Sequence, residues 1–329
     1  MYEDFYGLQA KPFQLSPDPR FFFKSEGHSR ALAYLRYGIQ QGEGFVVVTG
    51  EVGTGKTTLA QTLFSELKRH NSVVTGHLVM SQLEGNDLLE LIADGFGLSP
   101  QDRSPASLIG ALEDFLRQQY QARKRVVLLL DEVQNLPFSG LETLRMLSNF
   151  QEKQRPLLQS LLLGQAELRQ ALQQPNLEQV RQRVVASCHL EPLGEEETRD
   201  YIRHRLNQVG WSGDPSLPPE VYSRIQQYTL GVPRRINTFC DRLLLFSYLE
   251  GLHRINEATV DAVAEEIAAD LPGSTGESER ESGQEAPGEG ASRLAHLEER
   301  VRLLEEALRH TQIGLNRTFP EKAGQAGER

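Results

Sequence analysis

Hydrophobic residues in the first 193 positions form two kinds of pattern. Five strand-like segments are predicted at 45–49, 73–79, 126–130, 158–163 and 186–190, and the first and third of them are almost entirely apolar. Between these segments, apolar residues recur at helical spacing, and a further helix at about 27–41 precedes the first strand. Uninterrupted apolar strands separated by helices are typical of a parallel sheet that is covered on both faces. We therefore predict a doubly wound α/β domain over residues 1–193.

The pattern changes after residue 193, where the strand-like runs stop. Four helical patterns follow, at 195–209, 218–229, 233–249 and 256–269. Asn256 stands at the start of the last one, where its side chain can cap the first turn. The pattern predicts an all-helical lid over residues 194–271.

The last part of the chain has a different composition. Residues 272–292 are mostly Gly, Ser, Glu, Pro and Thr without a large apolar residue, which predicts a disordered linker. Apolar residues then recur at spacings of 3, 4, 3 and 4, at Leu294, Leu297, Val301, Leu304 and Leu308. This heptad pattern predicts a coiled-coil-like helix over 293–315, followed by a disordered tail at 316–329. The helix would serve self-association or partner docking, or it would dock on its own core.

Composition and charge narrow the class of protein. No apolar run approaches the roughly 18 residues that cross a bilayer, and the acidic N-terminus does not resemble a secretory signal. We expect the chain in the cytoplasm or peripherally at the inner membrane. The net charge of −10 makes nucleic acid an unfavoured partner. Cys188 and Cys240 lack the spacing of a zinc site or a disulfide framework.

One motif follows the first predicted strand directly. Residues 50–57 match the phosphate-binding P-loop pattern G-x-x-x-x-G-K-[ST] in full. In such a loop, backbone N–H groups surround the β-phosphate, Lys56 reaches the β- and γ-phosphates, and the Thr57 hydroxyl binds Mg²⁺. The predicted ATP-binding residues are Gly50, Glu51, Val52, Gly53, Thr54, Gly55, Lys56, Thr57 and Thr58. The alternative is a chance glycine-rich turn.

A second motif ends the third predicted strand. Asp131 and Glu132 directly follow the apolar run at 126–130. As a Walker B pair, Asp131 would hold Mg²⁺ through water, and Glu132 would polarise the water that attacks the γ-phosphate. A solvated strand end is the alternative. Together the two motifs predict a Mg-ATP hydrolase, with Thr57 and Asp131 at the metal.

A P-loop, an Asp-Glu strand end and an all-helical lid resemble the AAA+ ATPases over residues 1–270. The resemblance implies a three-layer core with a parallel five-stranded sheet. It also implies roles for two residues. Arg234, in the segment 231–237, would be the sensor 2 that reaches the γ-phosphate from the lid, unless it only pairs with acids at a helix start. Gln165 would be the sensor 1 that positions the water, although many members have Asn or Thr there and a plain turn residue is the alternative.

Oligomeric members of this superfamily also take an arginine from the neighbouring subunit. Arg181 and Arg183 precede the fifth predicted strand, near where such arginine fingers occur. Either could stabilise charge on the transferring phosphoryl group, and a solvated helix face is the alternative.

A closer resemblance is to the general secretion pathway A-type ATPases, and within them to the exosortase (PEP-CTERM) and exopolysaccharide-associated subfamily. It rests on the segments 5–8, 11–13, 17–23, 42–45, 144–150, 181–184 and 231–237. The resemblance implies an ATP-dependent homo-oligomer that serves a protein partner in an envelope export or sorting complex. No transmembrane or peptidoglycan-binding segment is recognised after the lid, so we do not expect direct cell-wall contact. Two alternatives are a DNA-associated regulator of the MuB type and a nucleotide switch with little turnover.

The aromatic cluster Phe21, Phe22 and Phe23 lies within these segments. Three consecutive large aromatic side chains require burial. We expect them to pack across the crevice between the lid and the α/β core, rather than to bind a partner.

Overall fold

The five predicted strands form one sheet in which every strand is parallel to its neighbours. The computed structural model of the protein describes residues 1–15, 18–80 and 87–270. The strands are β1 Phe45–Gly50, β2 Val73–Val79, β3 Arg125–Asp131, β4 Gln151–Glu152, β5 Arg155–Pro156, β6 Leu158–Gly164 and β7 Val184–Leu190. The sheet order is β2-β3-β6-β1-β7, and β4 and β5 form a separate two-residue antiparallel pair. The predicted parallel five-stranded sheet is confirmed. Strand β7 begins two residues earlier than predicted, because Val184 pairs with Phe45.

Helices cover both faces of the sheet. The α-helices that the structure describes are α1 Tyr2–Phe5, α2 Glu26–Gln41, α3 Lys56–Leu67, α4 Asp87–Gly95, α5 Pro105–Gln121, α6 Phe138–Leu147, α7 Ala166–Leu172, α8 Glu178–Arg181, α9 Glu195–Asn207, α10 Pro219–Thr229, α11 Pro233–Leu249 and α12 Glu257–Asp270. Of these, α2 to α8 pack against the sheet. Successive side chains of β1 point to opposite faces. Val46 and Val48 pack against α2 and α3, whereas Phe45 and Val47 pack among α4 to α8. This burial on both faces explains the uninterrupted apolar runs.

Local sequence signals mark the ends of α2. Ser25 is the N-cap, and its Oγ accepts a hydrogen bond from the His28 N–H at 3.2 Å. The helix ends at Gly42, whose φ of +75° is the left-handed conformation that glycine adopts readily. These caps set where α2 begins and ends, and its buried face packs beside β1 and β7.

The lid, formed by α9 to α12, has a hydrophobic core of its own. The Asn256 side chain accepts a hydrogen bond from the Thr259 N–H at 3.0 Å and caps α12 as predicted. The N-terminal segment completes this core with Tyr2, Tyr6, Leu8, Phe13 and Phe21. Hydrophobic periodicity did not predict that this segment packs on the lid.

The described residues belong to one compact unit. The division into a nucleotide-binding domain and a lid at residue 193 therefore stays a prediction. The predicted linker at 272–292, the heptad helix at 293–315 and the tail at 316–329 lie outside the described residues. Among the described helices, none is long and apolar enough to cross a membrane. Cys240 is buried and Cys188 is half-buried, and both are free thiols.

Candidate functional site

The P-loop connects the end of β1 to the start of α3. Gly53 and Gly55 have φ values of +88° and +97°, which residues with a side chain rarely adopt. A Cβ atom on Gly53 would lie 2.5 Å from the Cβ of Arg234 on the lid. Glycine is therefore required at position 53 both for the turn and for the close approach of the lid.

Lys56 is 5% exposed at the first position of α3. Its Nζ donates hydrogen bonds to the carbonyl oxygens of Gly50 and Glu51, both at 2.8 Å. Burial lowers the pKa of the ammonium group, and the carboxylates of Glu132 and Asp131 oppose this shift. The loop thus holds a cation that an anionic ligand can approach.

Two oxygen-bearing side chains meet beside Lys56. The Thr57 hydroxyl donates to Asp131 Oδ2 at 2.7 Å, and the Glu132 N–H donates to Asp131 Oδ1 at 2.9 Å. A hydroxyl and a carboxylate are the ligands that Mg²⁺ prefers, and Mg²⁺ usually keeps water and phosphate oxygens as its other ligands. The donor set therefore fits Mg²⁺ bound together with a nucleotide. Within the described residues, no cluster of three or more His, Cys, Asp or Glu offers a metal site made of protein ligands alone.

Glu132 lies at the end of β3 with a φ of +57°, which turns it out of the strand. Gln165, just after β6, donates from Nε2 to Glu132 Oε2 at 3.1 Å. Gln134 donates to the same oxygen, and its Oε1 accepts from the Gln165 N–H at 3.0 Å. The structure thus brings the predicted base and the predicted sensor 1 into direct contact. Gln134 was missed, and its position two residues after Glu132 was the signal that could have found it.

Arg234 contacts the P-loop from the first turn of α11. Its N–H donates to the Gly53 carbonyl at 3.2 Å, and its exposed side chain lines the crevice between loop and lid. This side chain has no hydrogen bond or ion pair to the described part of the chain. Arg235 does not line the crevice, so the placement favours Arg234 as the predicted sensor 2.

Arg181 and Arg183 lie outside this crevice. Arg181 donates weakly to the carbonyls at the end of α7, and Arg183 donates to the Asn149 side chain. The Arg183 carbonyl accepts from the Phe45 N–H at 2.7 Å, which places its backbone at the start of β1, whereas the P-loop follows the end of that strand. Neither arginine joins the site of its own chain. Their role as fingers toward a second subunit stays a prediction.

The crevice has a volume of about 360 Å³ and contains six further side chains that the motifs did not identify. These are Gln14, Leu15, His28, Leu193, Tyr201 and Arg205. The three consecutive phenylalanines also line the crevice, and they pack on both sides of it. Phe22 packs against the core of α2 and α3, whereas Phe21 and Phe23 pack against the lid.

Arg205 fastens the N-terminal segment to the lid. The residue is 5% exposed on α9. Its Nε donates to the Pro12 carbonyl at 2.7 Å, and its Nη2 donates to the Gln14 carbonyl at 3.3 Å. Its Nη1 donates to Tyr201 Oη at 2.9 Å, and its guanidinium lies 4.8 Å from the centre of the Phe21 ring. The segment at 12–14 is thus held as one wall of the crevice.

These features define a class of protein. A parallel sheet ordered β2-β3-β6-β1-β7, with a P-loop after β1 and an acidic pair at the end of β3, is the P-loop NTPase fold of AAA proteins. The sequence of residues 39–172 matches the AAA domain family. This segment of the chain is thus similar to AAA domains in its sequence as well as in its fold.

A particular relative is the general secretion pathway protein A of Aeromonas hydrophila. The two sequences are 40% identical over 270 residues, which cover 82% of this chain and 49% of that protein. The chain thus spans about half the length of this relative. The finer assignment to an exosortase-associated subfamily stays a hypothesis.

Solved structures agree on the fold. The Aeropyrum pernix ORC2 protein superposes with a TM-score of 0.56 and 17% identity, covering 78% of this chain and 72% of that one. A chain of Drosophila ORC bound to DNA gives a TM-score of 0.57 and 18% identity, covering 79% and 65%. At this level of identity, the similarity shows the fold alone.

Proposed function

We propose that this protein binds Mg-ATP in the crevice between the P-loop and the lid and hydrolyses the β–γ phosphoanhydride. The observation that carries the proposal is the contact of Glu132 with Gln165 beside the buried Lys56. A carboxylate held by two amide groups next to a phosphate-binding loop is suited to orient and deprotonate a water molecule.

Each residue has a distinct part in this proposal. Lys56 would release its two carbonyl partners and bind the β- and γ-phosphates. Thr57 and Asp131 would hold Mg²⁺, which supplies charge stabilisation at the phosphate oxygens. Glu132 would accept the proton of the attacking water, and Gln165 would keep the carboxylate and the water aligned. Arg234 would bring its fixed positive charge from the lid to the γ-phosphate.

Two substitutions test this proposal. Lys56→Ala removes the buried cation, and we expect tight ATP binding to be lost. Glu132→Gln keeps the size of the side chain but removes the base, so binding should persist while turnover falls by about a hundredfold or more. Binding is measured with a fluorescent ATP analogue, and turnover by phosphate release with Mg²⁺ and with EDTA. Normal hydrolysis by Glu132→Gln would refute the assignment of the base, and negligible turnover by the wild type would favour a nucleotide switch.

The relationship to the secretion pathway protein supports a proposal about the biological role. The chain would assemble with ATP into a homo-oligomer and act on a protein partner of an envelope export or sorting complex, from the cytoplasm or the inner membrane surface. Light scattering with and without ATP tests the assembly. If the molar mass and the ATPase rate rise together, Arg181→Ala and Arg183→Ala are measured in the same way. The finger is the arginine whose variant still assembles with ATP but gains no activity on assembly. An unchanged monomer with an unchanged rate would contradict assembly.

A further inference from the structure

His28 is a buried histidine that the proposed reaction does not use. It lies in the first turn of α2 and is 6% exposed. Its Nε2 is 3.1 Å from the carbonyl oxygen of Thr54 in the P-loop, and its Nδ1 is 2.7 Å from Ser25 Oγ. Its ring packs nearly perpendicular to that of Phe22, with the ring centres 5.6 Å apart. The imidazole is therefore fixed on three sides.

The partner of one ring nitrogen places a proton on that nitrogen. A carbonyl oxygen only accepts, so Nε2 carries the proton and donates to Thr54. Ser25 Oγ accepts from the His28 N–H, and its own hydroxyl proton is free to be donated to Nδ1. The neutral imidazole protonated at Nε2 thus satisfies every partner. Burial lowers the pKa of His28, which agrees with a neutral ring.

The Thr54 carbonyl belongs to the same peptide group as the Gly55 N–H. In a planar trans peptide, the C=O and the N–H point in opposite directions. A hydrogen bond that holds the carbonyl toward His28 therefore turns the Gly55 N–H away from it. Gly55 lines the crevice, and its N–H donates to no acceptor in the described part of the chain. The anchored peptide thus presents a free donor to a phosphate group.

The fit between Gly55 and His28 leaves no space for a side chain. A Cβ atom on Gly55 would lie 2.8 Å from His28 Nε2, and the φ of +97° disfavours any other residue. Gly55 thus allows the P-loop to turn and also allows the imidazole to reach the backbone.

We propose that His28 is a positioning residue for nucleotide phosphates: it holds the Thr54 carbonyl so that the Gly55 N–H is directed at the β-phosphate before the nucleotide binds. The inference rests on the proposed ATP-binding function and deepens it. Without the anchor, the peptide group rotates more freely and must be ordered when the phosphate binds. The free energy of this ordering weakens the affinity for both ADP and ATP. The rate of the bound complex changes little, because Glu132 and Gln165 are still in place.

The test compares four variants. His28→Leu removes the donor, and His28→Gln retains an N–H donor at a similar distance from the backbone. His70→Leu is a matched control, because His70 is exposed after the far end of α3 and only its backbone forms hydrogen bonds to the described residues. Lys56→Ala reports on the phosphate site itself. The dissociation constant of a fluorescent ADP analogue, the KM and kcat for ATP, and the melting temperature are measured for each.

We expect His28→Leu to weaken ADP binding and raise KM by about tenfold, with kcat within about threefold of the wild type. His28→Gln should recover most of the affinity, and His70→Leu should match the wild type. If His28→Leu does not fold, His28→Asn replaces it, because its shorter amide does not reach Thr54.

Three results would overturn the inference: wild-type affinity in the folded Leu or Asn variant, a failure of Gln to restore binding, or a loss confined to kcat. If the wild type itself does not bind ADP, the proposed function fails first. The role of His28 would be refuted, and the proposed function kept, if the wild type and His28→Leu bind ADP equally well while Lys56→Ala does not bind it.

Discussion

Arg205 offers the sharpest test of how the N-terminal segment is attached to the lid. Arg205→Met keeps an unbranched side chain of similar length but removes three hydrogen bonds from a charged donor to Pro12, Gln14 and Tyr201. Such bonds contribute about 1.5 to 3 kcal/mol each, or roughly 6 kcal/mol in total. In the wild type, burial removes water from the charged guanidinium, which costs free energy. The substitution removes this desolvation cost, which offsets about half of the stability lost with the hydrogen bonds.

We therefore expect the unfolding free energy of Arg205→Met to fall by about 3 kcal/mol, which corresponds to a decrease in melting temperature of about 6 to 12 °C. The N-terminal segment should also be cleaved faster in limited proteolysis, because its carbonyl anchors are lost. Arg203→Met is the control, since Arg203 is exposed on the same helix. A change within about 2 °C for Arg205→Met, with unaltered cleavage, would refute the reasoning.

Two further predictions follow from the site. Thr57→Val removes the hydroxyl that contacts Asp131, so the Mg²⁺ concentration for half-maximal ATPase activity should rise by about tenfold, and an unchanged Mg²⁺ titration would contradict the metal assignment. Burial lowers the pKa of His28 in the folded protein below 6.5. As the pH falls, the imidazole is therefore protonated first in the unfolded chain, and the unfolding free energy decreases below about pH 6.5. Urea denaturation between about pH 7 and 5 should show a smaller decrease in unfolding free energy for His28→Gln than for the wild type. An equal dependence of the unfolding free energy on pH in both proteins would argue against a buried neutral ring.

Much of the fold followed from patterns that are local in the chain. The strands β1, β3 and β6 were predicted within one or two residues, because burial on both faces favours apolar residues at most positions. The predicted cap Asn256 acts within one helical turn, so its signal is also local. The N-terminal segment was assigned to the α/β domain because nothing in its periodicity specifies which core its aromatic residues join.

Some residues of the candidate site were likewise evident from local motifs, whereas contacts between them depended on the tertiary structure. The P-loop and the acidic pair are contiguous motifs, whose chemistry depends on the spacing of a few residues. The contact between Gln165 and Glu132 needed the sheet order, in which β6 lies beside β3 and brings the ends of both strands together. Arg205 and Pro12 are 193 positions apart, and no pattern in either segment indicates the other.

The sequence by itself thus determined the class of fold, the phosphate-binding loop and the two carboxylates, because each is encoded by the hydrophobicity or spacing of neighbouring residues. Only the tertiary structure decided which side chains surround that loop. His28 and Arg205 contact Thr54 and Pro12 through packing between elements that are distant in the chain, and that packing depends on how complete surfaces fit together.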